Sequence, residues 1–176
     1  MATIRKIFRF EAAHRLIDSY TKRCQGFHGH SYKVELFLGG EINPIDGMVI
    51  DFTKVKDEVG GLFDKFDHAL LVWDKDPLCL NFGRAMLEQL NVRNIVLPFN
   101  LTAENMAKYF YIQMLTWREL KNNKKLVVKK VIVHETETGF AEYGEADLKD
   151  DSILEPEEFC RYYDKNTIYG SDYDKK

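Results

Sequence analysis

The sequence predicts a single α+β domain whose antiparallel sheet is built in the order strand, strand, helix, helix, strand, strand. Three observations carry this prediction: apolar residues alternate with period two in two early segments, they recur with the helical period in two later ones, and a Val- and Ile-rich segment precedes a glycine turn. A chain of 176 residues can bury one core of ordinary size. We expect this domain to span residues 1–146. Residues 147–176 are expected to form an acidic extension, since nine acidic residues oppose five basic ones there.

Composition and charge argue against several classes of protein. Hydrophobic residues make up 45% of the chain and charged residues 30%, which is typical of soluble globular proteins. No apolar run is long enough to span a bilayer and no secretory signal is visible, so we expect a cytoplasmic protein without a membrane partner. A net charge of −3 argues against nucleic acid as a partner. The three cysteines, Cys24, Cys79 and Cys160, are too few and too scattered for a disulfide framework, so we expect reduced thiols.

The first two strands are expected at residues 4–14 and 28–38, where apolar residues and histidines occupy the even positions, broken only by Lys6. If these strands pair antiparallel, the end of the first lies beside the start of the second. His14 would then lie close to His28 and His30, and the segment between the strands would be a long loop.

Two helices follow. Asp51 is expected to cap the first helix, whose apolar residues are Phe52, Val55, Val59, Leu62, Phe63 and Phe66. Thr102 is expected to cap the second, whose apolar stripe consists of Ala103, Met106, Ala107, Phe110, Met114 and Trp117. The stretch between them, residues 71–101, contains two prolines and is less regular, with a short helix expected around residues 84–90.

Three histidines are candidate metal ligands. Two strand residues separated by one position lie about 6 to 7 Å apart on the same face, so His28 and His30 can share one ion. His14 would supply a third nitrogen from the neighbouring strand. Three neutral imidazoles with an open fourth position are the pattern of a catalytic Zn²⁺ site. The alternative is a cluster of partly buried histidines that bond to backbone groups.

Cys24 lies four residues before His28 in the same loop. A thiol beside a metal ion and the basic residues Lys22 and Arg23 could have a lowered pKa and act as a base or a nucleophile. It could equally be a fourth, structural zinc ligand or a packing residue. The spacing alone does not separate these three roles.

The last two strands are expected at residues 126–135 and 140–143, joined across Gly139. Glu135 ends the first of them on an otherwise apolar face, where a carboxylate is costly unless it has a partner. It could receive hydrogen bonds from a guanidine-like edge of a heterocycle, or it could lie beyond the buried part of the strand.

Asp67 and His68 follow the first helix directly. The aspartate could orient the imidazole and make an acid/base unit, or the histidine could simply be favoured by the helix dipole. Glu104 lies in the first turn of the second helix, where an acidic residue is common for the same electrostatic reason.

The candidate residues belong to short motifs that occur in the same order along the chain as in a known protein family. The segments that carry the resemblance are Phe10-Glu11-Ala12-Ala13-His14-Arg15-Leu16, Cys24-Gln25-Gly26-Phe27-His28-Gly29-His30, Gly47-Met48-Val49-Ile50-Asp51-Phe52, Asp67-His68, Thr102-Ala103-Glu104-Asn105 and Glu135-Thr136-Glu137-Thr138. Together they strongly resemble the 6-pyruvoyltetrahydropterin synthase family. The Cys-x-x-x-His-Gly-His spacing resembles its bacterial 6-carboxytetrahydropterin synthase branch.

The resemblance implies a fold, an assembly and a reaction. The fold would be the tunnelling fold, in hexamers of two trimers with active sites at subunit interfaces. The reaction would convert 7,8-dihydroneopterin triphosphate to 6-carboxytetrahydropterin, acetaldehyde and triphosphate, a step toward 7-deazaguanine and queuosine. The alternatives are the 6-pyruvoyl-forming reaction of the same family, a noncatalytic homologue that binds zinc or a pterin, and a three-histidine zinc hydrolase of unrelated fold.

The resemblance also implies a role for each candidate residue. The zinc ligands would be His14, His28 and His30. Cys24 as a thiolate would remove a proton, and His68, paired with Asp67, would pass protons at the other face. Glu135 would anchor the amino-pyrimidine edge of the pterin. Weaker candidates are Thr102 and Glu104 for the pterin pocket, and Lys22, Arg23 and Arg15 for the triphosphate.

The chain departs from the family pattern before the second helix. Leu101 stands where the family commonly has proline, which leaves the loop that enters that helix open to question. The stretch 71–101 is extended relative to compact members, and residues 147–176 lie outside the resemblance.

Overall fold

A computed structural model describes residues 1–78, 93–117, 122–123, 125–150 and 168–169. Within them a seven-stranded sheet has the order β6-β5-β2-β1-β3-β4-β7. Its strands are β1 (Ala2–His14), β2 (His28–Gly40), β3 (Ala69–Trp73), β4 (Asn94–Leu97), β5 (Val127–His134), β6 (Phe140–Gly144) and β7 (Ile168–Tyr169). The helices are α1 (Lys22–Gln25), α2 (Phe52–Phe66), α3 (Ala103–Leu115) and α4 (Glu145–Asp150). None of these helices has the length and apolar character needed to cross a membrane.

The antiparallel pair of β1 and β2 is the longest in the sheet and was expected. Its register runs from Ala2 opposite Gly40 to His14 opposite His28. The hairpin of β5 and β6 was also expected, and β5 adds to the free edge of β2. The predicted antiparallel part of the sheet is therefore confirmed for four strands.

The sheet as a whole is mixed, so the predicted antiparallel sheet describes only its β6-β5-β2-β1 part. β3 pairs in parallel with β1, with Ala12 opposite Ala69, and β4 pairs in parallel with β3. A parallel partner requires a crossover connection, and β2 and α2 lie between β1 and β3 in the chain. The continuous apolar run of residues 69–73 is typical of a buried parallel strand, but it is short enough to be overlooked. The helix expected around residues 84–90, as well as Cys79 and Cys160, lies outside the described residues.

Both long helices begin where the sequence predicted. The Asp51 side chain accepts a hydrogen bond from the Thr53 amide (2.6 Å), and the Thr102 hydroxyl accepts one from the Asn105 amide (3.3 Å). Each bond satisfies an amide that has no partner within its helix. The helices pack on one face of the sheet and form an aromatic core, in which Phe10 stacks on Tyr32 with ring centroids 4.9 Å apart.

The two faces of β1 and β2 differ in exposure near the histidines. Phe10, Ala12 and His14 are buried beneath the helices, whereas Glu11 and Ser31 point to the other face and are exposed. This difference follows from the alternation of side chains along a strand. The candidate site therefore lies at one end of the sheet, on its helix-covered face.

Candidate active site

The three histidines converge, as the strand register requires. His14 ends β1 directly opposite His28, and His30 lies two residues further along β2 on the same face. One ring nitrogen from each imidazole lies within 4.8 Å of the other two, and the Nε2 atoms of His14 and His28 are 3.1 Å apart. Such spacing allows one small cation to be bound by all three rings.

Backbone carbonyls orient two of these rings. His14 Nδ1 lies 2.9 Å from the Leu101 carbonyl oxygen, and His28 Nδ1 lies 2.8 Å from that of Gly26. A carbonyl can only accept, so each Nδ1 carries the proton and each Nε2 presents its lone pair to the centre of the cluster. His30 Nε2 is buried without a hydrogen-bond partner among the described residues. The cluster therefore has the donor atoms of a metal site and a buried nitrogen that lacks a partner.

Burial favours the neutral form of His14 and of His30. It lowers the pKa of His14 to about 4, and the nearby His28 and His30 contribute in the same direction. Burial also lowers the pKa of His30, although Glu135 opposes this effect. Neutral imidazole is the form that binds a metal ion, so burial favours the metal-binding form of these two rings.

Glu135 reaches this cluster from the end of β5. Its Oε1 atom lies 3.3 Å from His14 Nε2 and 3.7 Å from His30 Nε2, and it is buried without a hydrogen-bond partner among the described residues. The side chain as a whole is 26% exposed. Glu135 therefore does not lie beyond the buried part of the sheet, since one carboxylate oxygen points toward the imidazoles.

Cys24 lies in α1, within the loop that connects β1 to β2. Its Sγ atom accepts a hydrogen bond from the Thr21 hydroxyl (3.0 Å), and its carbonyl accepts one from the Leu16 amide (2.7 Å). The group of potential metal ligands found among the described residues consists of the three histidines without Cys24. This geometry argues against a structural zinc ligand.

Asp67 and His68 form the pair that their adjacency suggested. Asp67 Oδ2 lies 3.0 Å from His68 Nδ1, and Asp67 Oδ1 accepts a hydrogen bond from the Glu11 amide (2.8 Å). That backbone bond, together with His68, holds the pKa of Asp67 below its usual value despite partial desolvation. His68 has a φ of 56°, a left-handed conformation uncommon outside glycine, and its side chain is 78% exposed. The pair therefore presents an imidazole to the surface rather than to the core.

The surface beside His68 is an open cleft of about 530 Å³. Its lining includes Glu11, Gly29, Ser31 and His68, and the Ser31 hydroxyl donates to Glu11 Oε2 (2.7 Å). Glu11 and Ser31 lie on the face of the sheet opposite to His14. His30 is also part of the lining, so within one chain His68 and one member of the histidine cluster border the same cleft.

The remaining candidates, those for the pterin pocket and the triphosphate, differ in exposure and in hydrogen bonding. Thr102 caps α3, and Glu104 is exposed in its first turn. Lys22 and Arg23 are exposed on α1, whereas the Arg15 Nε donates to Asp76 Oδ2 (2.7 Å). Arg15 is therefore not a free surface cation.

Sequence reasoning missed the groups that surround the imidazoles. The Tyr32 hydroxyl lies 3.3 Å from His14 Nδ1, and period-two alternation along β2 could have placed it beside the cluster. The carbonyl acceptors at Gly26 and Leu101 carry no signal in residue type. Leu101 also answers the question raised by the missing proline, because its amide donates to Asn100 Oδ1 (3.1 Å), a bond that proline cannot make.

Known proteins resemble this chain in sequence. The family model described as 6-pyruvoyl tetrahydropterin synthase matches residues 3–146. A Helicobacter pylori (strain J99) protein named 6-carboxy-5,6,7,8-tetrahydropterin synthase is 37% identical over 153 residues, which cover 83% of this chain and 74% of that protein. A protein of the same name from Haemophilus influenzae is 32% identical over 149 residues, covering 82% of this chain and 100% of that protein. The chain belongs to the 6-pyruvoyl tetrahydropterin synthase family and is a lyase of that family.

Solved structures resemble it in fold. An uncharacterized protein from Wolinella succinogenes matches with a TM-score of 0.68 and 21% identity, covering 82% of this chain and 98% of its own. The 6-pyruvoyl tetrahydropterin synthase of Caenorhabditis elegans matches with a TM-score of 0.59 and 24% identity, covering 82% and 95%. These matches confirm the tunnelling fold that the sequence resemblance implied.

Proposed function

We propose that this enzyme is a zinc-dependent lyase that converts 7,8-dihydroneopterin triphosphate to 6-carboxytetrahydropterin, acetaldehyde and triphosphate. The observation that carries the proposal is the convergence of three imidazoles beside a buried carboxylate oxygen. Curated relatives named 6-carboxy-5,6,7,8-tetrahydropterin synthase support this choice of reaction. The product would feed 7-deazaguanine and queuosine synthesis. We assign the activity to residues 1–146 and treat residues 147–176 as an extension.

The metal would be held by His14, His28 and His30. Three imidazole nitrogens, two of them on rings that are oriented by backbone carbonyls, are donors that suit Zn²⁺. The bound ion would supply Lewis acidity, which would make C–H bonds beside a substrate hydroxyl more acidic.

Cys24 and His68 would move protons in this scheme. Cys24 precedes the metal ligand His28 by four residues in the same connection, and as a thiolate it would accept a proton from substrate. His68, oriented by Asp67, would exchange protons at the other face of the substrate. The family resemblance implies a hexamer of two trimers with active sites at subunit interfaces, so a complete site would combine groups from neighbouring subunits.

Glu135 would anchor the substrate. A carboxylate can accept two parallel hydrogen bonds from the amino-pyrimidine edge of a pterin, and desolvation strengthens such charge-assisted bonds. Thr102 and Glu104 remain secondary candidates for the pterin pocket. Of the candidate cations, the exposed Lys22 and Arg23 are the ones available for the triphosphate.

The experiment that tests this function is mass spectrometry of the products formed from 7,8-dihydroneopterin triphosphate by zinc-loaded protein. We expect 6-carboxytetrahydropterin with acetaldehyde, about one zinc per chain, and loss of turnover after chelation. A Cys24→Ala control should keep zinc and form no product. A 6-pyruvoyl product would instead assign the sister reaction, and unchanged substrate would contradict a catalytic role on this substrate.

A further inference from the structure

The segment that carries Cys24 has little internal structure to hold it. Its helix, α1, has four residues, none of them buried, and no side chain caps its first turn. A single helical turn is not stable by itself in water. The position of Cys24 must therefore be fixed by contacts with the rest of the fold.

One such contact starts from a buried carboxylate. Asp76 is 2% exposed and lies three residues after β3 ends. Its Oδ1 accepts a hydrogen bond from the Leu78 amide (2.7 Å), and its own amide donates to the Trp73 carbonyl (3.0 Å). Both bonds fix the side chain relative to β3. Its Oδ2 accepts a hydrogen bond from the Arg15 Nε (2.7 Å), and the guanidinium supplies the positive charge that a buried carboxylate needs.

The same guanidinium contacts the Cys24 segment. Arg15 Nη1 donates to the carbonyl of Gln25 (3.3 Å), the residue after Cys24, and Cζ lies 5.8 Å from the centre of the Phe27 ring. The next amide in the chain, that of Leu16, donates to the carbonyl of Cys24 itself (2.7 Å). A planar, forked guanidinium can make these contacts simultaneously, which an ammonium group cannot do with the same geometry.

We propose that Arg15 and Asp76 are a positioning pair, in which the buried carboxylate fixes the guanidinium and the guanidinium fixes the backbone around Cys24. This role rests on the proposed function of Cys24. It differs from the triphosphate contact that the family resemblance suggested for Arg15. With its Nε and Nη1 engaged and its side chain 21% exposed, Arg15 acts through Cys24 rather than on the substrate.

The test compares Arg15→Lys and Asp76→Asn with wild type. A displacement of about 1 Å at a reacting group costs about 100-fold in rate, so kcat should fall roughly 10- to 100-fold while KM changes less than about threefold. Peptide-resolved mass spectrometry should show that the rate of Cys24 alkylation by iodoacetamide changes at least about threefold, with zinc content unchanged. Arg9→Lys is the matched control, because Arg9 is exposed on β1 and has no hydrogen-bond or ion-pair partner among the described residues.

Three results would overturn the proposal. Unchanged kcat and unchanged alkylation in both variants would show that the pair does not position Cys24. Arg15→Lys could instead raise KM and weaken inhibition by inorganic tripolyphosphate while Asp76→Asn does neither. That result would show that Arg15 binds the phosphate groups and does not position Cys24. Loss of zinc and of thermal stability in both variants would reduce the pair to a general structural role.

The alkylation rate does not depend on turnover. If wild-type protein forms no pterin product, the proposed function fails. The alkylation rates of the variants still decide whether Arg15 and Asp76 position the thiol.

Discussion

Glu135 Oε1 and His14 Nε2 lie 3.3 Å apart, although their strands do not pair with each other. β2 lies between β5 and β1 and contributes His30 to the gap, at 3.7 Å from the same carboxylate oxygen. The carboxylate thus lies beside the ring cluster, and a cation bound by the rings would lie within its field. A donor edge of a substrate that reaches Glu135 is consequently held beside the metal position.

Glu135→Gln tests whether this carboxylate recognises substrate. The amide keeps the volume but loses the charge and one acceptor, so we expect kcat/KM to fall by about 100-fold, equivalent to about 2.7 kcal/mol. Zinc content should not change, because the three imidazoles remain. Steady-state kinetics and metal analysis measure the two effects.

Glu142→Gln is the matched control, since Glu142 is an exposed carboxylate on β6 that pairs with Lys130 and has no place in the proposed site. It should leave kcat/KM within about threefold of wild type. Loss of zinc from the Glu135→Gln variant would contradict the substrate-anchor role and make Glu135 a metal ligand.

Cys24→Ala and His68→Ala test whether an active site combines two subunits. Each variant alone should be inactive. If the two residues act together from different chains, a reassembled equal mixture should recover roughly one quarter of the wild-type activity, the chance that both contributors are intact. Activity measured after mild dissociation and reassembly gives this fraction.

A mixture of Cys24→Ala and His28→Ala is the control for this experiment. Those residues are four positions apart in one connection, so they serve the same site and their mixture should stay inactive. If the first mixture also remains inactive although hybrid oligomers form, then Cys24 and His68 act within one chain.

The β1–β2 pair and its histidines could be predicted from the sequence because period-two alternation and antiparallel pairing are local rules. They place His14 opposite His28 without further information. The strands β3 and β4 could not be predicted in the same way. They are five and four residues long, and their parallel partners are distant in sequence.

The surroundings of the histidines were harder to predict for a different reason. The acceptors for His14 and His28 are backbone carbonyls, which every residue has, so no residue type marks them. Asp76 is similar, because its burial depends on how the chain after β3 packs against Arg15. Such contacts depend on the tertiary structure, and the spacing of residue types along the sequence does not reveal them.

Glu35→Gln tests a charge network on the other face of the sheet. Glu35 is 5% exposed and contacts Arg5, Lys33 and His134 at 2.7 to 2.8 Å. Burial raises the pKa of Glu35, but Lys33 first, then Arg5 and His134, outweigh this effect and hold it below the usual 4.5. The unfolded chain therefore binds a proton at a higher pH than the folded one, so the stabilisation is complete above about pH 4.5 and is lost as the pH falls further.

We expect Glu35→Gln to lower the free energy of unfolding by about 1–2 kcal/mol at neutral pH, a moderate value because Arg5 is half exposed. The difference from wild type should shrink below pH 4.5 in urea titrations. Glu142→Gln is the control, because Glu142 makes an exposed pair with Lys130 (2.8 Å), and its curve should follow that of wild type. A difference that stays constant with pH would contradict the role of the charge.

Removal of residues 151–176 tests the role of β7 at the edge of the sheet. β7 pairs antiparallel with β4, with Ile95 opposite Tyr169 and Val96 opposite Ile168. Without it, the backbone amides and carbonyls of β4 that face away from β3 are left unpaired, and an apolar edge of this kind tends to pair with another chain. We expect concentration-dependent association beyond the wild-type assembly, measured by sedimentation velocity.

The truncation also removes acidic residues, whose loss alone could promote association. Ile168→Pro in the full chain separates the two causes, because proline removes one backbone donor from the β4–β7 pair and leaves every charge in place. Association of both proteins would assign the effect to the exposed edge. Association of the truncated chain alone would assign it to the lost charge, and wild-type behaviour of both would show that β7 does not protect β4.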